Sequence, residues 1–209
     1  MAGKQRDPMA KAKKPYHKED LRGDLLAAGR SYIEQHGHLN LSMRTLAQQV
    51  EVSSGAPYHH FADRRAFLLA LAAEGFDDML SGASQAMAGL PEPRDRLRAL
   101  GLHFLRFAGS NPHLLDLMYE SELTAPALDP QLLRYQVEAH SALRSAILAA
   151  VPDITAAEAD MRSIAFWSAI YGFASMRRKG VIHSAGTSVA IDNMVQAIVE
   201  RAVLMAIAN

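Results

Sequence analysis

The chain has 209 residues, 49% of them hydrophobic and none of them cysteine, and its 22 Lys and Arg balance 22 Asp and Glu, so the formal net charge is zero with His neutral. That content excludes disorder throughout, and the missing cysteine excludes disulfide scaffolds, thiolate catalysis, zinc ribbons and iron–sulfur clusters. No stretch approaches the roughly 18 apolar residues of a membrane span, and the opening MAGKQRDPMAKAKK lacks the apolar core of a secretory signal, so the expected setting is soluble and cytoplasmic.

Charge is unevenly spread. Residues 1–65 carry 11 basic and 7 acidic side chains, and the acidic excess lies in the remainder. Such asymmetry points to a polyanion meeting one half, although Lys4, Lys11, Lys13 and Lys14 also suit a solubilising tail. Residues 1–16, basic and interrupted by Pro8 and Pro15, read as a disordered arm.

From His17 the pattern turns helical, with Leu21, Leu25, Ala28, Tyr32 and Ile33 on one stripe and Gly37 as its stop. Ser42 opens a short second helix with Met43, Leu46, Ala47 and Val50 on one side; its hydroxyl suits an N-cap. Glu51-Val52-Ser53 breaks that run. A third short helix is expected over 54–61, capped by Ser53 or Ser54, with Pro57 in its first turn, where the missing N–H costs little. Asp63 then caps a long helix that runs to about Met87.

Leu90-Pro91-Glu92-Pro93 marks a boundary. Further helices follow over about 93–109, 112–123, 129–150, from Thr155 to about Lys179, and over 187–208. Thr155-Ala156-Ala157-Glu158 fits a capping box. No strand or internal repeat is expected. The fold class is all-α, with about nine helices. The expected division is an arm over 1–16, a DNA-binding unit over 17–64 and a helical ligand-binding and dimerisation unit over 65–209.

Two short helices, a three-residue break and a third helix packing across make a helix-turn-helix. Leu46, Val50 and Val52 form its apolar wedge, and Ala47 is small where the helices cross. The second of the pair is free to enter a major groove. Gly55 and Ala56 let its start approach DNA closely, and Tyr58, His59 and His60 present polar groups that can donate to phosphate. Arg64 follows in the first turn of the next helix.

The run Arg44, Leu46-Ala47, Val52-Ser53, Gly55-Ala56, Tyr58-His59-His60-Phe61 and Arg64 resembles the TetR family of bacterial transcriptional regulators, over residues 19–80. The resemblance implies a homodimer on a near-palindromic operator, most often a repressor released by a small effector. It implies DNA contacts from Ser42, Arg44, Ser54, Gly55, Ala56, Tyr58, His59, His60 and Arg64, with Tyr58, His60 and Arg64 clamping phosphates. Two positions depart from the family's pattern: Glu51 stands where Gly is frequent, and Arg64 replaces the usual Lys, which keeps charge but changes geometry.

In the C-terminal part, Val189, Ile191, Met194, Val195, Ile198, Val199, Ala202, Val203 and Met205 exceed one helical stripe. A helix apolar around much of its girth is buried on both sides, which suits either a thick core or, as the resemblance implies, a four-helix dimer interface. Phe166-Trp167-Ser168-Ala169-Ile170-Tyr171-Gly172 is weakly similar to the Trp-x-x-x-His-Gly signature of one C-terminal subgroup, with Tyr171 in place of His. Trp167 and Tyr171 share a helix face. With His103, Phe104, Phe107, Met118 and Tyr119 they form either solid core or a pocket for an apolar or aromatic ligand.

No cofactor is expected and no metal, since His36-Gly37-His38 lacks further ligands nearby. No enzyme is expected either: nucleophile motif, phosphate loop and metal cluster are all missing from the sequence, and His103 with Glu120 or Glu122 is the only acid–base pair to weigh. A regulator that senses no small molecule is the alternative.

Overall fold

Asp20 accepts a hydrogen bond from the Gly23 amide at 2.9 Å and so starts α1, Leu21–His36. This computed structural model describes residues 20–184 and 189–208; the basic arm and the first residues expected in the last helix lie outside them. Leu25, Leu26, Gly29 and Ile33 make the buried face of α1, and Gly37 ends it at φ 71° with its amide on the Ile33 carbonyl. Gly29 is required by packing. A Cβ there would come within 2.4 Å of the Phe67 ring, which is itself fully buried.

The Ser42 hydroxyl accepts from the Thr45 amide at 3.0 Å and opens α2, Met43–Gln49. The expected third helix is a correction. Residues Ala56–His59 form a single 3-10 turn, and neither Ser53 nor Ser54 caps it, because Gly55 precedes it with no side-chain bond. Ala56, Tyr58 and His60 each bond three residues back, to Ser53, Gly55 and Pro57. Four residues that include a proline close only one such turn.

Asp63 accepts from the Ala66 amide at 2.7 Å and starts α3, Arg64–Met87. This helix of 24 residues is the spine of the molecule. It runs unbroken through the expected division at 64/65, and packs on α1, on α4 (Pro93–Ser110), on α5 (Pro112–Tyr119) and on α6 (Pro130–Ala150).

The helix expected over 112–123 stops early, at Tyr119. The Ser121 hydroxyl donates to the Leu117 carbonyl and accepts from the Leu123 amide, and the Thr124 hydroxyl donates to the carbonyls of Tyr119 and Ser121. Such side chains offer the backbone partners other than the next helical turn. A connection over 120–129 results, and Asp129 then caps α6 through the Gln131 amide.

The expected capping box half forms: Thr155 accepts from the Glu158 amide and starts α7, Ala156–Arg178, while the Glu158 carboxylate turns to Arg162. Gly180 at φ 71° leads into the single turn α8, Val181–Ser184. The last helix, α9, spans Ile191–Ile207 and lies against α7 and α4. One continuous apolar core links Leu25 of α1 to Ala206 of α9. Among the described residues every regular element is helical, and no helix is long and apolar enough to cross a membrane.

Candidate nucleic-acid interface and inner cavity

Pro57 and Phe61 are buried and pin the 3-10 turn to the core, the Phe61 ring standing edge-on to Phe67 at 4.9 Å with the Arg22 guanidinium over its other side at 5.4 Å. The opposite side of the turn is therefore forced outward. Ser53, Ser54, Gly55, Tyr58, His59 and His60 are all exposed, Tyr58 to 54%, and a Cβ at Gly55 would meet nothing within 4 Å. Arg44 is exposed on α2, and Ala56 is half-buried. These residues share one polar face that bears cationic and hydroxyl donors, the groups that meet phosphate and base edges.

Ser42 is half-buried and spends its hydroxyl on the α2 cap, 2.7 Å from the Thr45 hydroxyl. Arg64 turns inward. Its Nε donates to the Leu41 carbonyl at 2.6 Å, one Nη donates to the His38 and Leu39 carbonyls at 2.7 and 3.1 Å, and the other pairs with Glu122. A guanidinium engaged on every nitrogen by its own chain offers no free fork to a phosphate in this arrangement. Glu51, where glycine is frequent in the family, adopts φ 56°, a left-handed conformation that glycine takes without steric cost.

His36 packs on the Tyr32 ring at 4.8 Å. His38 is buried, and burial lowers its pKa, with Asp116 opposing and Arg64 adding to the effect. Among the described residues no three metal-ligating side chains come together.

A cavity of about 670 Å³ opens between α3, α4, α6 and α7. Of the residues expected to line it, His103, Phe104, Tyr119, Trp167 and Tyr171 do. Phe107 and Met118 do not. Both are core, Met118 with its sulfur 2.8 Å from where a Cβ on Gly75 would stand. Sequence reasoning missed Met79, Leu80, Ala83, Ser84 and Met87 of α3, and Gln136, Ala139, His140 and Leu143 of α6. The latter four recur at i, i+3, i+4 and i+7, so the signal was a helical stripe on which two inward positions are polar.

Aromatic rings make the cavity's wall. Phe104 meets Trp167 edge-on at 4.6 Å, Trp167 stacks on Tyr171 at 5.9 Å, and Tyr119 lies 5.3 Å from Tyr171. His103 Nε2 lies 3.0 Å from the Met79 carbonyl. A carbonyl only accepts, so that nitrogen carries the proton. Burial lowers the His103 pKa, partly offset by this bond. The Tyr171 hydroxyl donates to Glu120 at 3.0 Å, and burial together with that carboxylate pushes its pKa up to about 12.

Glu120 begins a polar seam. Burial alone would raise its pKa, but Arg178 at 2.6 Å, Tyr171 and Lys179 outweigh it and hold the carboxyl below the ordinary range. Arg178 also pairs with Asp116 at 2.9 Å. Two residues on, Glu122 pairs with Arg64, and its carbonyl accepts from Arg65 at 2.8 Å. Arg65 reaches Asp129, the α6 cap, at 3.0 Å. Two consecutive arginines on the first turn of α3 thus hold both ends of the connection that starts at the cavity wall.

On the far side, α7 and α9 leave Met161, Ile164, Leu204 and Met205 about half exposed or more. Ala165 and Ser168 are exposed between them, and a Cβ on Gly172 would meet nothing within 4 Å. Val199, Ala202 and Val203 are core, Met194, Val195 and Ile198 are half-buried, and Val189 is exposed.

Residues 25–71 match the model described as bacterial regulatory proteins, tetR family, and residues 97–202 match a tetracyclin repressor-like C-terminal domain. That second description does not reach the narrower Trp-x-x-x-His-Gly subgroup. Over 116 residues the chain is 28% identical to the HTH-type transcriptional activator FasR of Mycolicibacterium smegmatis, covering 55% of this chain and 53% of that protein. The chain thus spans about half the length of this curated relative. A solved protein of unknown function from Rhodococcus sp. RHA1 is 29% identical, with a TM-score of 0.78 over 91% of this chain and 97% of that one. A TetR-family regulator from Bordetella parapertussis 12822, 22% identical with a TM-score of 0.62 over 91% and 96%, shares the fold.

Proposed function

The chain belongs to the tetR family of bacterial regulatory proteins, and from that premise we propose that it is a cytoplasmic homodimer that holds a near-palindromic operator and releases it when a small apolar or aromatic effector fills the cavity. The observation that carries this reading is one helix, α3, whose first turn sits behind the DNA-facing turn and whose last turns line the cavity.

Residues 17–64 read DNA in this proposal, and residues 65–209 sense and pair. Arg44, Ser54, Gly55, Ala56, Tyr58, His59 and His60 face the duplex, with Tyr58 and His60 on phosphates. Ser42 and Arg64 act behind them, one as a helix cap and the other as a brace. The apolar, small-residue faces of α7 and α9 support the dimer, since exposed apolar patches of this kind mark association sites. An effector can act only by binding two states differently. The polar seam from Tyr171 through Glu120 and Glu122 to Arg64 joins the cavity wall to the carbonyls just ahead of α2, which supports coupling along that route.

The test is binding of the pure protein to the DNA upstream of its own coding region across a salt series. The expected result is a footprint on a near-palindrome, affinity that falls steeply with salt, and loss of that affinity in Tyr58→Ala with the dimer intact. Absence of binding even at low salt would overturn the reading. A second reading, activation, draws on the relative described as an activator; transcription from the same promoter with and without the protein separates the two.

A further inference from the structure

The polar side chains that border the cavity differ in what they have left to offer. Tyr171 has spent its hydroxyl on Glu120, and His103 has spent its only proton on the Met79 carbonyl. Gln136 and His140 line the cavity from α6, His140 with Asp160 at 3.8 Å, and Ser84 lines it from α3. Tyr119 is different. Its ring is fixed on three sides by Phe76 at 5.4 Å, Tyr171 at 5.3 Å and Trp167 at 6.1 Å. Yet its hydroxyl has no hydrogen-bond partner among the described residues, and the only influences on its titration are burial and the nearby Tyr171. Burial drives that pKa well above the ordinary phenol range, so the group is a neutral donor throughout the physiological range. The only side-chain polar atom both sealed and unpartnered among the described residues is an Arg178 Nη. The Tyr119 oxygen therefore keeps accessible surface, and the surface this residue borders is the cavity.

Charge narrows the occupant further. Among the described residues no Lys or Arg lines the cavity, burial disfavours the charged form of His103, His140 already faces the Asp160 carboxylate at 3.8 Å, and Glu138 at the exposed edge adds a negative charge. A carboxylate ligand would be desolvated with no Lys or Arg to meet it, a cost that binding sites do not carry unpaired. The aromatic wall favours rings.

We propose that the cavity takes an uncharged, largely aromatic molecule bearing one carbonyl-type acceptor, and that the Tyr119 hydroxyl donates to that acceptor. This rests on the cavity being the effector site.

The test uses three matched probes on the full chain by equilibrium dialysis: benzophenone, diphenylmethane, which lacks only the carbonyl oxygen, and 4-benzoylbenzoate, which adds a negative charge. Benzophenone should bind roughly three- to tenfold tighter than diphenylmethane, the ratio one neutral hydrogen bond supplies, and 4-benzoylbenzoate should bind weakest. In Tyr119→Phe, which keeps the ring and its packing, the two neutral probes should bind equally. Ala139→Trp, which fills the cavity from α6, should abolish all binding. Equal binding of the neutral probes to the unaltered protein, a ratio that survives Tyr119→Phe, or tightest binding of the anion would overturn the proposal while the effector cavity stands. Failure of every probe to bind, or binding that survives Ala139→Trp, would remove the effector cavity and this inference together.

Discussion

Glu51 shows what one side chain costs when backbone geometry is fixed by its neighbours. The break between α2 and the recognition turn needs a left-handed residue, and the chain supplies a glutamate at φ 56°. Such a conformation costs a non-glycine residue about 1–2 kcal/mol, of which glycine returns part through its larger unfolded entropy. Glu51→Gly should therefore stabilise the protein by about 0.5–1 kcal/mol, read as a rise in urea midpoint, and should raise operator affinity by removing a negative charge from the DNA-facing edge. His38 and His103 give a pH dependence. Burial depresses both, so each binds its proton more readily in the unfolded chain. Stability is then fully present above about pH 6.5, the unfolded value, and falls as pH drops toward the folded values. The urea midpoint should be lower at pH 5.5 than at pH 7.5, and the drop should shrink in His103→Gln. Glu120 enters later, because its depressed carboxyl loses its contribution only below the ordinary carboxylate pKa.

Elements were largely legible where apolar period and caps agree. Ser42, Asp63 and Thr155 each accept the backbone amide that their position implies, while Asp20 and Asp129, not singled out in the sequence, cap α1 and α6 in the same way. The reading failed where short-range chemistry competes with the helix: at Pro57, which leaves one 3-10 turn, and at Ser121 and Thr124, which end α5 four residues early. The exposed polar residues of the Ala56–His59 turn stood out because polar groups cluster on a segment otherwise small. Arg64 was legible as a cation but not as a brace, since its partners come from residues 38, 39, 41 and 122, and long-range pairing leaves no local trace. Arg64→Ala should cost about 1–3 kcal/mol by stranding the part-buried carbonyls of His38 and Leu41. Hydrogen exchange at residues 38–42 should quicken with it, and unchanged exchange there would remove Arg64 from the role of brace.

At the scale of the whole molecule, the cavity could not be told from core, because both use Phe104, Trp167 and their neighbours; only packing decides that Phe107 and Met118 are solid and that α6 leaves a gap between Leu132 and Leu143. In the proposed dimer the exposed stripe of α7 would carry the pairing. Ala165→Arg would bury an unpaired charge between two copies. It should leave helix content unchanged, yield a monomer in sedimentation at micromolar concentration, and abolish high-affinity operator binding, since one recognition turn alone reads one half-site.

Because α3 begins beside the Ala56–His59 turn and ends at Met87, the wall that α3 gives the cavity is continuous in sequence with that turn. Anyone splicing this chain to another regulator at the Ala88–Pro93 bend would carry Met79, Leu80, Ala83, Ser84 and Met87 along with residues 20–64. Under the proposed function, chemical taste and operator taste would be written partly on one strip of chain. A hybrid sensor would inherit a blend of both parents' ligand preferences, and a clean exchange would require recutting this helix in its middle, near Gly75, where it crosses α5.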